Sequence, residues 1–154
     1  MNKVGGYNIE DLQPGMSACV SKTVTEADII LFAGVSTDIN PAHLDEDYAK
    51  GTQFGGRIAH GMLSASFISA VLANKLPGAG TIYLGQTLKF KSPVRIGDTV
   101  TATVTVREVV VAKKRCILDA LCTVNGKTVI EGECTCACSS SRHWFMFTVH
   151  GQRR

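Results

Sequence analysis

The sequence predicts an α+β architecture in which an antiparallel sheet of about five strands wraps one long buried helix. Three observations carry this expectation. Residues 60–74 are apolar nearly all round: Met62, Leu63, Ala65, Phe67, Ile68, Ala70, Val71 and Leu72 leave only Ser64, Ser66 and Ser69 as polar positions, and a helix of that kind is buried. From Gly80 onward the chain turns to β, and residues 99–106 alternate strictly, so that Val100, Ala102, Val104 and Val106 share one inward face. Asn125-Gly126, between two apolar-rich runs, is the strongest short hairpin signal available.

The remaining elements can be taken in chain order. Leu12-Gln13-Pro14-Gly15 is a turn, and residues 16–24 form a first strand. Thr25 is a good N-cap, Glu26 and Asp28 place acids in the first turn, and Ile29, Ile30, Phe32 and Ala33 continue at helical spacing to about Val35. Ser36, Thr37 and Asp38 then compete for backbone hydrogen bonds and Pro41 pushes Asn40 away from helical geometry, so residues 38–43 are expected to be largely loop. A short helix over 45–49 and a glycine-rich loop over 51–56 lead to the buried helix. Further strands are expected over 81–90, 115–124 and 127–138.

At 154 residues the chain is one domain of ordinary size, read as a single unit over 1–138 with an atypical C-terminal tail over 139–154. The tail breaks in composition, with a serine run, Trp144 and a basic end, and is expected to be frayed or loosely packed. Hydrophobic residues at 45% and charged ones at 19% fit a compact globular protein. A net charge of +3, partly concentrated in the tail, with no basic stripe interleaved with aromatics, argues against nucleic acid as partner. No apolar run approaches the roughly 20 residues needed to cross a bilayer, and the N-terminus has no signal-peptide stretch, so a cytoplasmic protein without a membrane partner is expected. Cys134, Cys136 and Cys138 alternate and Cys116 and Cys122 lie in an apolar run, which suits reduced cysteines packed as small hydrophobes rather than a disulfide framework.

The chemistry concentrates in Asp38-Ile39-Asn40-Pro41-Ala42-His43 and in His60-Gly61 at the start of the buried helix. Asp, Asn and Pro at a helix end are often no more than turn formers. Here Asp38 and His43 are joined by His60 beside an apolar interior, where titratable groups suit proton transfer. A calcium loop fails, because the position that needs Gly is His43 and the one that needs Glu is Ala49. No helical His-x-x-x-His pair supports a transition-metal site from Asp38, His43 and His60, and no metal is expected. The backbone N–H groups of Gly61 and Met62 lack intrahelical acceptors and lie at the positive end of the helix dipole, so they would stabilise an oxygen that gains negative charge. Gly61 equally suits a crowded meeting of helix and sheet.

The run from Phe32 to His43, with His60-Gly61-Met62 after it, resembles the hydratase-2 motif of the MaoC-like, (R)-specific enoyl-coenzyme A hydratases. Ile82-Tyr83-Leu84-Gly85-Gln86 through Pro93-Val94 and Gly97-Asp98-Thr99-Val100 also look like that family, so the likeness covers about residues 12–138. Thr37 and Ile39 depart from common family residues without removing a reacting group, and the tail resembles nothing in the family. The resemblance implies a hot-dog fold and a homodimer whose sheets join, with the site near the interface. It implies reversible hydration of trans-2-enoyl-coenzyme A to the (R)-3-hydroxyacyl thioester, without metal or other cofactor.

It also implies roles. Asp38 and His43 would hold one water, Asp38 acting as base and His43 orienting the water and passing a proton to C2, while the Gly61 N–H binds the thioester oxygen. Asn40 would brace the loop, Ser69 matches a polar position beside the site, and His60, Phe67 and Leu72 would support the site or bound substrate, the last two at the far end of the acyl pocket. Arg57, Lys89 and Lys91 are plausible partners for coenzyme A phosphates. A hot-dog thioesterase, with activated water attacking the carbonyl carbon, is the rival enzyme, and a non-catalytic acyl-thioester-binding domain the rival without chemistry.

Overall fold

The computed structural model describes residues 1–141, and residues 142–154, where most of the expected tail falls, lie outside the described residues. Five strands form one antiparallel sheet: β1 (Ser17–Thr23), β2 (Ile82–Phe90), β3 (Thr99–Val110), β4 (Arg115–Val124) and β5 (Lys127–Ala137), in the order β1-β3-β4-β5-β2. The helices are α1 (Glu26–Ser36), α2 (Pro41–Leu44), α3 (Glu46–Lys50) and α4 (Gly61–Asn74), and α4 packs against β1, β2, β3 and β4. The β4–β5 turn carries Asn125 at φ 49° and Gly126 at φ 78°, the left-handed pair that a two-residue turn needs to match strand twist.

The core lies between α4 and the concave face of the sheet. Val100, Ala102, Val104 and Val106 are buried as their alternation requires, and Ile68, Val71 and Leu72 of α4 meet them from the other side. Burying side chains of this size contributes about 1.5–3 kcal/mol each. On the opposite face of the β1–β3 pair, hydroxyls hydrogen-bond across the strands, as in Ser21–Thr101 at 2.8 Å and Thr23–Thr99 at 2.7 Å. Cys116, Cys122, Cys134, Cys136 and Cys138 are buried free thiols, while Cys19 is exposed.

The structure corrects two local expectations. Pro41 does not prolong a loop but opens α2, because at the first helical position its missing N–H costs nothing and its fixed φ is already helical. Only Thr37–Asn40 is therefore irregular, and Thr37 takes the left-handed region, at φ 62°. The start of the tail is also not loose: the Ile9 N–H donates to Ser139 O at 2.8 Å and the Ser141 N–H to Glu10 Oε2 at 3.2 Å.

Candidate active site

Two segments, far apart in sequence, are drawn together at the start of α4. The first is the α1–α2 connection. Thr25 and Asp28 form a reciprocal capping box at the start of α1, and Ile29 and Ala33 anchor that helix to the core. At its end the Ser36 hydroxyl donates to Phe32 O at 2.6 Å and accepts the Asp38 N–H at 3.2 Å. Asn40 braces the first turn of α2, since its side-chain oxygen accepts the Ala42 N–H at 3.0 Å while its backbone carbonyl accepts the His43 N–H at 2.9 Å. Asp38 and His43 are thus presented from two ends of one short, internally bonded segment.

The second segment is residues 57–61. His43 Nδ1 lies 2.8 Å from Ile58 O. A carbonyl only accepts, so Nδ1 carries a proton, and Nε2 is turned toward Asp38. His60 makes the same kind of bond with its other nitrogen, Nε2 to Asp38 O at 2.9 Å, and so holds the backbone of the aspartate. Its ring lies against His43 with centroids 3.9 Å apart and against Phe32 at 5.0 Å. His60 is 1% exposed and its Nδ1 has no protein partner.

His43 Nε2 and Asp38 Oδ2 stand 4.0 Å apart, the imidazole nearly enclosed at 12% exposure and the carboxylate open at 50%. That gap is too long for a direct hydrogen bond and fits two groups that share one water, each at about 2.8 Å. Asp38, His43 and His60 each offer one possible metal-ligand atom within 4.8 Å of the others. His60 suits that task poorly, with Nε2 committed to the Asp38 carbonyl and Nδ1 enclosed.

The pair opens into a cavity of about 440 Å³ whose wall includes Gly61, Ser64, Phe90, Val94 and Ile130. Gly61 is the first residue of α4, so its N–H has no intrahelical acceptor. A Cβ there would lie 2.8 Å from Cδ1 and Cε1 of Phe90, which makes the crowding argument for glycine correct and leaves the N–H available beside it.

Not every expected residue reaches this cavity. Ser69 is half-buried, and Phe67 and Leu72 are core residues away from its lining. Ser64 lines it instead, buried and with its hydroxyl unpartnered, where Ser66 bonds back to Leu63 O. Helical spacing places Ser64 one turn beyond His60 and was the signal that could have found it. Phe54, Phe90 and Ile130 carried no comparable signal. Of the cations considered for phosphate, Arg57 is paired with Glu26 and Lys91 with Glu131 at 3.1 Å, while Lys89 lies along a groove on the outer face of the sheet.

A sheet curved about a buried helix, with a carboxylate–imidazole pair lining the same cavity as the first residue of that helix, defines a hot-dog protein. The chain belongs to the MaoC-like domain family, whose model matches residues 12–128. It is similar to an (R)-specific enoyl-CoA hydratase of Rhodospirillum rubrum, 64% identical over 129 residues that span 84% of this chain and 90% of that one. It is 44% identical to a 3-hydroxybutyryl-CoA dehydratase of Methylorubrum extorquens over 80% of this chain and 79% of the relative. Among solved structures, an R-hydratase of Pseudomonas aeruginosa in unliganded form superposes with a TM-score of 0.82 at 43% identity, covering 88% of this chain and 87% of that one.

Proposed function

We propose that this chain is a hydro-lyase that adds water reversibly to a trans-2-enoyl-coenzyme A, giving the (R)-3-hydroxyacyl thioester. The observation that carries the proposal is the 4.0 Å gap between His43 Nε2 and Asp38 Oδ2, opening on the same cavity as the first N–H of α4. The similarity to hydratases and a dehydratase over most of the chain agrees with it.

Water bridging the pair donates one hydrogen to each side chain, which leaves an oxygen lone pair free to attack C3 of the enoyl group. Asp38 takes a water proton as the C3–O bond forms, and the C2–C3 π electrons move toward the thioester carbonyl. The oxygen that gains charge is met by the Gly61 N–H and the positive end of the α4 dipole. The new C3 hydroxyl still lies between the two groups, so the Asp38 proton passes to its oxygen as its own hydrogen passes to His43 Nε2, which delivers a proton to C2 and leaves the hydroxyl intact. One O–H bond breaks, one C–O and one C–H bond form, and no electrons leave or enter, so this chemistry requires neither metal nor redox cofactor. Asn40 and His60 act through the backbone of residues 38–43, and Ser64 offers its hydroxyl to the bound acyl group.

We also propose a homodimer joined through β2. Among the described residues this strand is an edge of the sheet, paired with β5 alone, and it exposes Ile82 and Leu84. A long apolar edge of this kind is suited to pairing with a second copy.

The direct test is loss of enoyl absorbance when the protein is added to crotonyl-coenzyme A, with chiral analysis of the product. Asp38→Asn and His43→Gln are each expected to lower the rate by about a hundredfold or more, the range for loss of a general acid or base. Release of free thiol would instead identify a thioesterase. No change with any acyl chain length would leave a binding domain.

A further inference from the structure

Resting on the hydratase reading, we infer that Arg57 is a positioning residue that sets the catalytic imidazole, and not a binding group for the phosphates of coenzyme A. The α2 helix that carries His43 has four residues, too few to be stable by itself. Its carbonyls are almost all without intrahelical donors. Their partners come from the segment before α4. The Ile58 N–H donates to Ala42 O at 3.2 Å, His43 Nδ1 donates to Ile58 O at 2.8 Å, and Arg57 Nε donates to His43 O at 2.7 Å.

The other end of the guanidinium fixes where this clamp sits. Nη2 donates to Glu26 Oε1 at 2.8 Å and Nη1 to Glu26 Oε2 at 3.2 Å, a two-pronged ion pair to the first turn of α1. The arginine side chain is 15% exposed and the glutamate 54% exposed. A third constraint comes through the arginine backbone, whose N–H donates to Glu46 Oε2 of α3 at 3.2 Å. One side chain therefore ties the start of α1 to the backbone of His43, and α1 leads at its other end to Asp38. The planar fork sets both distance and angle, which a lysine ammonium cannot reproduce. The 4.0 Å spacing of the water-holding pair is thus spanned by a second route that bypasses residues 38–43. Three of its five N–H donors, on Nε and on each Nη, are directed at Glu26 and His43, and the Glu26 carboxylate already neutralises the guanidinium charge that a ligand phosphate would need.

The two roles separate kinetically. Wild type, Arg57→Gln, Arg57→Lys and Glu26→Gln are assayed on crotonyl-coenzyme A and on the crotonyl thioester of N-acetylcysteamine, which has no phosphate. Positioning predicts that Arg57→Gln lowers kcat by about tenfold to a hundredfold on both thioesters, with little change in KM, because a displaced catalytic group loses rate whatever the carrier. Arg57→Lys should fail to rescue. Glu26→Gln, an exposed change expected to leave the fold intact, should lower kcat by about threefold on both substrates, and the double variant should be no worse than Arg57→Gln alone. An unchanged kcat with KM raised only for the coenzyme A thioester would overturn the inference in favour of phosphate binding. Wild-type kinetics in Glu26→Gln would overturn it even if the Arg57 variants do not fold. A wild type inactive on both thioesters would sink the hydratase reading itself, and this inference with it.

Discussion

Replacing Gly61 with alanine should separate the stability of α4 from its chemistry. The residue is helical, so alanine can adopt its backbone without strain, and the gain over glycine in a helix is about 0.5–1 kcal/mol. Against this stands the new methyl group, 2.8 Å from two ring carbons of Phe90, where ordinary carbon contacts are about 3.5–4.0 Å. Overpacking of this size costs about 1–3 kcal/mol. Phe90 is 53% exposed as a residue and its ring can yield by swinging outward, which puts the cost at the low end. The two contributions nearly offset, so the change in stability should be within about 1 kcal/mol, a shift in Tm of a few degrees. Activity should not be spared. The methyl group enters the cavity wall beside the N–H proposed to hold the thioester oxygen, and obstructing such a donor costs up to about 10²–10³ in kcat, the cost of losing it. Thermal denaturation and steady-state kinetics on crotonyl-coenzyme A measure the two effects, and Phe90→Ala in the same background shows whether the methyl or the ring is responsible. Wild-type kcat/KM in Gly61→Ala would refute the assignment of that N–H, and a loss of several kcal/mol would refute the view that the Phe90 ring can yield.

Further predictions rest on the backbone and the thiols. Thr37 holds φ 62°, a conformation that costs a β-branched residue about 1–2 kcal/mol, so Thr37→Asn should raise stability by about 0.5–1 kcal/mol in urea titration, and a lowered midpoint would count against it. Burial pushes the Cys122 thiol up to about 12 from its ordinary value of 9.0. The folded state therefore holds this proton where the unfolded chain has lost it. Stability from this source is complete below about pH 9 and falls as the pH rises toward 12, which alkaline unfolding curves of wild type and Cys122→Ala should show as a weaker pH dependence in the variant. A thiol reagent at about pH 8 should modify Cys19 rapidly and the five buried cysteines only on denaturation, and rapid reaction of more than one thiol would contradict their packing.

Elements that rest on local chemistry were legible from residue order alone. The Thr25 cap, the alternation from Val100 to Val106 and the Asn125-Gly126 turn depend on neighbours within a few positions, and each appears as expected. Pro41 was legible but ambiguous, because the ring that disfavours a helix before it also favours one that starts at it. The side chains that meet Asp38 and His43 could not be read in this way. When a helix is apolar all round, its pattern does not fix its rotation, and Ser64 and Ser69 lie about 140° apart around the axis at roughly 100° per residue. Only packing against the sheet decides that Ser64 faces the cavity.

The sequence by itself determined the kinds of element, the buried helix and the presence of a carboxylate, an imidazole and a helix N-terminus in one family pattern, because period, capping and turn chemistry are short-range. Tertiary structure alone decided the bonds from His43 to Ile58 and from His60 to Asp38 that fix the pair, the commitment of Arg57 to Glu26 and His43, and the walls supplied by Phe90 and Ile130. These join residues many positions apart, and such contacts exist only after the sheet has closed around α4 and set the distance between them.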